Sequence, residues 1–179
     1  MDKTEVIMKE VDTPLGVIVF ASSPKGLCLL DFKYRKSFPT ILKRIEKLYG
    51  TNKIQGTSSF IEQAEQQLQR YLLGQLQQFT VPLDIRGSIF QLKVWQALLQ
   101  IKYGKTVSYL DIAKKINQPE AVRAVANANG QNGIAIIIPC HRVIGSDGSL
   151  TGYGGGLPIK KRLLQIESGK KQGKITNFL

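Results

Sequence analysis

The chain has 179 residues, 42% of them hydrophobic, which is enough for one domain or two small ones with a true core. No apolar run approaches a membrane span, and Met1-Asp2-Lys3-Thr4-Glu5 lacks the basic-then-apolar order of a signal peptide, so an intracellular protein is expected. The net charge of +12 is uneven: residues 1–86 hold 12 Lys and Arg against 9 Asp and Glu, and residues 87–179 hold 13 against 4. A basic half with few acids suits a polyanion such as nucleic acid, or else a solvated surface that aids solubility.

Residues 5–11, 15–22 and 27–32 read as three strands, separated by the turns Asp12-Thr13-Pro14 and Pro24-Lys25-Gly26. Cys28 lies among leucines in the third strand and reads as core filler, since apolar surroundings raise a thiol's pKa. Residues 38–49 read as a helix with Ile41, Leu42, Ile45 and Leu48 on one face, followed by a polar connection to Thr57. Ser59-Phe60-Ile61-Glu62 has the form of a capping box for a second helix, which stops near Leu73 at Gly74. Phe79 to Leu83 reads as an edge strand, because Pro82 has no N–H to give a central one. Arg86-Gly87 is taken as the domain boundary.

The second half reads mainly helical. Ser88 and Gln91 cap a helix that runs to about Gln100, with Phe90, Val94, Leu98 and Ile101 on one stripe and Trp95 as a core anchor. Ser108 and Asp111 cap the next, Tyr109 to Ile116. After the break Asn117-Gln118-Pro119, another helix reaches about Asn127. Two short helices with a tight turn make a helix-turn-helix candidate. Asn129 to Gly133 reads as a loop, Ile134 to Ile138 as a short buried strand, and Gly145 to Gly148 as a turn. Gly152 to Gly156 reads as a flexible stretch and Ile159 to Glu167 as the last helix. The domains expected are 1–86, 87–170 and a mobile tail, 171–179.

Pro139-Cys140-His141-Arg142-Val143 carries the candidate chemistry. Imidazole can take a thiol proton and leave the stronger nucleophile, thiolate. The same residues are compatible with a packed core cysteine beside a satisfied histidine. Neighbours on a strand point to opposite faces, so Cys140 and His141 would need a bend or a bridging water to cooperate. One histidine and two distant cysteines give no metal-ligand spacing.

This signature, with its flanks Asn132 to Ile138 and Gly145 to Gly156, resembles the active site of the O6-alkylguanine-DNA alkyltransferases. The resemblance runs clearly from Ser88 to Glu167 and more loosely through the first half. It implies a ribonuclease-H-like α/β domain followed by a mainly α domain with a helix-turn-helix. It further implies a DNA repair protein that flips O6-alkylguanine out of the duplex and moves the alkyl group irreversibly to Cys140, once per molecule. By resemblance His141 is the base, acting through water, and Glu167 holds it. Tyr109 donates to the departing guanine, and Asn132 holds the turn before the active site. Tyr153 lines the alkyl pocket, with Gly154 and Gly155 leaving room. Arg123 fills the space of the flipped base, while Ala124, Ala126, Asn127 and Ala128 let the helix approach the minor groove.

The resemblance implies no cofactor and no metal: the zinc of some members is not carried over, because the first half has only Cys28 and no histidine. The implied partner of a monomer is double-stranded DNA carrying O6-alkylguanine, with O4-alkylthymine as a second candidate and no membrane. The expected location is cytoplasmic, or nuclear in a eukaryote. Gly133 stands where many members have proline, which predicts a looser loop. Gln131 replaces a common basic residue, which predicts one weaker phosphate contact. Two other readings remain at this point: a non-enzymatic alkyltransferase-like damage binder, whose relatives replace the cysteine retained here, and an unrelated cysteine hydrolase, which leaves the basic half and the helix pair without a role.

Overall fold

The computed structural model describes residues 5–49 and 53–169; the expected tail lies outside the described residues. Three strands, β1 (Val6–Thr13), β2 (Gly16–Ser23) and β3 (Gly26–Phe32), form an antiparallel meander. In the β1–β2 turn the Thr13 hydroxyl accepts from Leu15 N and donates to the Gly16 carbonyl, and Gly16 supplies the positive φ of +97° that the turn requires. After helix α1 (Phe38–Tyr49) a short strand, β4 (Lys53–Gln55), pairs parallel to β1, giving the order β3-β2-β1-β4. The polar composition of that segment hid this strand.

A register shift at Ala21/Ser22 sets Leu27 opposite Ser22 and Leu29 opposite Ala21. Cys28 is the residue between them, and the shift places Leu27 and Leu30 in the same core although they lie three apart. One sheet face packs Val6, Met8, Val19, Ala21, Cys28 and Leu29 under Phe38, Ile41, Ile45 and Tyr49 of α1. The other face packs Ile18, Phe20, Leu30 and Phe32 against helix α2 (Ser59–Leu72) and on into the second half of the chain. Its cap is Ser58, one residue earlier than expected: the Ser58 hydroxyl accepts from Ile61 N at 3.2 Å and also meets Ser22 Oγ at 2.7 Å.

The edge strand expected over residues 79–83 shrinks to a single bridge, Leu27 to Leu83. Thr80 N and Val81 N donate to the Gln67 side chain instead, and Pro82 has no donor. The strand expected over residues 134–138 is likewise one bridge, Leu30 to Ile134. Together the two bridges cover the free edge of β3.

The capping boxes at Ser88 and Ser108 are formed with Gln91 and Asp111, opening α3 (Ile89–Leu99) and α4 (Tyr109–Lys115). Asn117 turns the chain with φ +58°, a single 3-10 turn at Pro119–Ala121 follows, and α5 runs over Val122–Gly130. It therefore extends into the segment expected to be a loop. A parallel pair not foreseen from sequence, β5 (Val107–Ser108) with β6 (Val143–Ile144), draws the start of α4 beside the residues that follow the cysteine-histidine turn. Helix α6 (Leu157–Glu167) is the last element among the described residues, with Gly156 at φ +89° before it. No helix among the described residues is long and apolar enough to cross a membrane.

Candidate active site

The approach to Cys140 is a coil of tight turns, which is why an apolar run of strand-like residues makes no strand. Ile137 N bonds Ala135 O at 2.8 Å around Ile136, whose φ is +71°. A β-branched residue in that region is strained, and burial holds it there. Cys140 N bonds Ile138 O at 2.8 Å around Pro139, an inverse γ-turn with φ −82° and ψ 62°. Cys140, His141 and Arg142 then form one turn of 3-10 helix. The bend that a strand would have lacked is thus built in.

Asn132 organises this coil. It is buried, its Oδ1 accepts from Ile134 N at 2.9 Å, and its Nδ2 donates to Ile138 O at 2.9 Å and to Cys140 Sγ at 3.2 Å. Burial raises the Cys140 thiol above its ordinary value; the Asn132 bond and the positive charge of Arg35 act against that rise. The thiol is therefore the resting form, and any attack by the sulfur requires its proton to leave.

His141 is fully buried, with Nε2 at 2.6 Å from Glu167 Oε1. Burial would raise the Glu167 carboxyl, but hydrogen bonds from His141, Arg142 and Tyr71 hold it at about 2. An ionised carboxylate only accepts, so His141 carries its proton on Nε2 and leaves Nδ1 with a free lone pair. That atom is buried without a hydrogen-bond partner among the described residues. Burial lowers the His141 pKa, with the Glu167 bond opposing, so the ring rests neutral with Nδ1 able to accept.

Glu167 receives more donors than sequence reasoning supplied. The Tyr71 hydroxyl donates to Oε1 at 2.7 Å, Arg142 Nη2 to Oε1 at 3.0 Å, Arg142 Nε to Oε2 at 2.9 Å and Gly104 N to Oε2 at 3.2 Å. Arg142 Nη1 goes to Ile101 O at 2.6 Å. Arg35 was missed as well: it pairs with buried Asp31 at 3.0 Å and donates to the carbonyls of Asn132 and Gly130, tying the sheet domain to the active-site coil. Burial pushes Asp31 up to about 6 despite that pairing. Lys160 is the third omission, fully buried and donating to Val143 O at 2.6 Å and Thr151 O at 2.7 Å. Most of these partners lie far apart in sequence, and no local pattern marks their role.

Cys140 opens on a cavity of about 390 Å³, also lined by Tyr109, Asn129, Tyr153, Gly154 and Arg35. Tyr109 is half-buried, with its hydroxyl 3.5 Å from Thr151 Oγ1. The Tyr153 ring stands edge-on to His141 at 6.5 Å, and its buried hydroxyl has no hydrogen-bond partner among the described residues. Gly154 borders the cavity, and a Cβ there would strike the Arg35 guanidinium. Gly155 packs under the Phe32 ring, 2.7 Å from an added Cβ, and does not line the cavity.

On α5, Arg123, Ala124 and Asn127 are exposed and Ala126 is half-buried. Ala128, expected on the same approach face, is buried, and its carbonyl accepts from Trp95 Nε1 at 2.9 Å; it belongs to the core. The loop at Gly133 is not loose: Leu30 N donates to Gly133 O at 2.9 Å, and Ile41 lies 3.1 Å from where a Cβ would sit. Gln131 is engaged inward, its Oε1 accepting from Gln91 Nε2 at 2.5 Å and its carbonyl from Arg44 at 2.7 Å.

Residues 6–85 match the family profile "6-O-methylguanine DNA methyltransferase, ribonuclease-like domain", and residues 89–169 match "6-O-methylguanine DNA methyltransferase, DNA binding domain". The chain belongs to the 6-O-methylguanine DNA methyltransferase family. A relative from Mycobacterium tuberculosis H37Rv, a methylated-DNA–protein-cysteine methyltransferase, is 42% identical over 95% of this chain and 97% of its own. A relative of the same name from Methanosarcina barkeri is 47% identical over 88% of this chain and 94% of its own. The crystal structure of the M. tuberculosis protein in complex with DNA superposes with a TM-score of 0.76, at 41% identity and 92% coverage of both chains.

Proposed function

We propose that this methyltransferase repairs DNA by moving an alkyl group from guanine O6 to Cys140 Sγ. The observation that carries the reading is a buried thiol held by Asn132 at the wall of a base-sized cavity, next in sequence to a histidine locked on an ionised carboxylate. In the step, Sγ forms a bond to the alkyl carbon as the carbon–O6 bond breaks. The thiol proton passes through a water to His141 Nδ1, and Glu167 stabilises the imidazolium that results. The departing guanine carries the electron pair of the broken bond and takes a hydrogen bond, then a proton, at the Tyr109 hydroxyl; the phenolate then regains a proton from solvent as the imidazolium gives its own back to solvent. Tyr153 and Gly154 border the alkyl group. The chemistry needs no cofactor.

A guanine in a duplex does not reach this cavity, so the nucleotide leaves the stack, at a cost of a few kcal/mol. Exposed Arg123 fills its place, and the small residues Ala124 and Ala126, with Asn127, let α5 lie close in the minor groove. Contacts go mainly to phosphate, which suits the basic half and damage in any sequence context. The protein acts as a monomer. The thioether formed has no good leaving group, and Cys28, in the sheet, is no rescuer, so each molecule acts once.

Incubation with an oligonucleotide carrying O6-methylguanine, followed by weighing the intact protein and its peptides, tests this. A gain of one methyl on Cys140 is expected. Binding without mass gain would identify a damage binder instead, and repeated turnover would overturn the single-use step.

A further inference from the structure

Two arginines of the sheet domain hold the C-terminal end of α5. Arg35 donates to the carbonyls of Gly130 and Asn132, and Arg44, on α1, donates to the Gln131 carbonyl at 2.7 Å while lying over the Trp95 ring. They satisfy carbonyls that the end of a helix leaves free. Beside each stands an exposed lysine, Lys36 after Arg35 and Lys43 before Arg44. Lys36 lies inside a turn that Phe38 N closes on Arg35 O at 2.9 Å. Its two neighbours, Arg35 and Ser37, line the Cys140 cavity together with Ala126 of α5, so Lys36 stands at the rim. The charge here has no local counterweight. Lys9, Lys33, Arg35, Lys53 and Arg86 of the sheet domain each pair with a carboxylate. Lys36 and Lys43 have no such partner among the described residues, and the one acid of α1, Glu46, is taken by Lys53.

Resting on the base-flipping, alkyl-transfer reading, we propose that Lys36 and Lys43 form a second DNA contact, on the sheet domain, which binds phosphates of the strand that carries the extruded nucleotide. A nucleotide whose base enters the cavity brings its own phosphates to the rim, where Lys36 stands. With α5 against the duplex, the neighbouring phosphates pass the end of that helix, where Arg44 anchors the turn of α1 that carries Lys43. The arginines fix the surface, and the lysines meet phosphate as point charges that read no sequence. The half of the chain with the smaller net charge would then share in holding the DNA, because its free positive charge is gathered beside α5.

The test is affinity for a duplex carrying O6-methylguanine, measured by mobility shift against salt in a Cys140→Ala background that leaves the lesion intact. Log affinity falls linearly with log salt, with a slope of about 0.9 per phosphate neutralised. Lys36→Ala and Lys43→Ala should each make the slope shallower by about one, and the two together by about two, with thermal melting unchanged because both side chains are exposed. Lys36→Arg, which keeps the charge, should keep the slope. Lys25→Ala removes an exposed lysine at the far end of β3 and should also keep it. An unchanged slope in the double variant overturns the proposal while DNA binding and alkyl transfer stand. A loss from Lys25→Ala equal to that from Lys36→Ala overturns it too, because overall charge would then account for the effect. Wild-type protein that gains no methyl mass on the same duplex overturns the alkyl-transfer reading, and this inference with it.

Discussion

Cys28 and Cys140 are almost equally hidden, 2% and 5% exposed, and burial raises the pKa of both thiols. Their surroundings differ completely. Cys28 lies between the sheet and α1 among Val19, Ala21, Leu29 and Phe38, and burial, with the nearby Asp84 charge, pushes it up to about 12. Cys140 has a side-chain donor on its sulfur, a cavity before it and a buried histidine beside it. On the proposed reading, reactivity follows from access and from a route for the proton, not from exposure.

The comparison breaks most sharply at the sulfur itself. Cys140→Ala should abolish methyl transfer and leave DNA binding nearly intact, read by protein mass and by filter or mobility-shift binding. Next comes the carboxylate behind the histidine. Glu167→Gln should slow transfer by about 10²-fold, the usual scale for losing general-base support. It also leaves the Arg142 guanidinium buried without its counterion, which costs about 3–5 kcal/mol in denaturant unfolding. The sign with pH follows from the depressed carboxyl. Its stabilisation is complete above the ordinary value of 4.5 and is lost as pH falls toward about 2, so the gap between wild type and variant should close over that range.

Access can be weakened without touching either thiol. Arg123→Ala should slow repair in duplex DNA by about tenfold and repair of a single strand much less, since in the role proposed for it the arginine replaces stack and pair. Equal loss on both would mark Arg123 as general charge. Tyr71→Phe is gentler: Glu167 loses one donor, bonds His141 more tightly, and raises its pKa. Transfer should fall only a few-fold, by the roughly 0.5–1.5 kcal/mol of one hydrogen bond, with the acid limb of the pH–rate profile moved upward. Cys28→Ala should leave transfer unchanged within about twofold while lowering stability by about 1 kcal/mol, the scale of a small cavity.

How much of this was legible in the sequence depended on the range of the interaction. Ser88, Ser108 and the α1 stripe are local signals, and they hold. Ile134 to Ile138 misled because composition cannot show that Ile136 is forced to positive φ by what packs around it. Residues 79–83 misled because Gln67, over a dozen residues away, takes the strand's donors. Ala128 was misplaced because α5 presents its neighbours outward, and only the Trp95 bond shows which way it turns. In the site, Cys140, His141, Asn132 and Glu167 stood out through the family resemblance, and Asn132 bonds Cys140 as Glu167 bonds His141, while Tyr71, Arg35 and Lys160 come from remote elements and have no motif.

The core that begins under β2 and β3 continues without a break through α2, Val94, Trp95 and Leu98 to Val143 and Leu163, and Cys140 is part of it. The chain should therefore melt as one cooperative unit, with a single calorimetric transition, rather than as two halves in succession. A methyl added to Cys140 stands at the boundary between the cavity and packing that both halves share, and where it presses on that packing the cost is about 1–3 kcal/mol. The spent protein then pays across its whole length: the population of globally open chains rises, and with it susceptibility to proteolysis. Chemical history at one sulfur becomes readable as lifetime of the entire polypeptide.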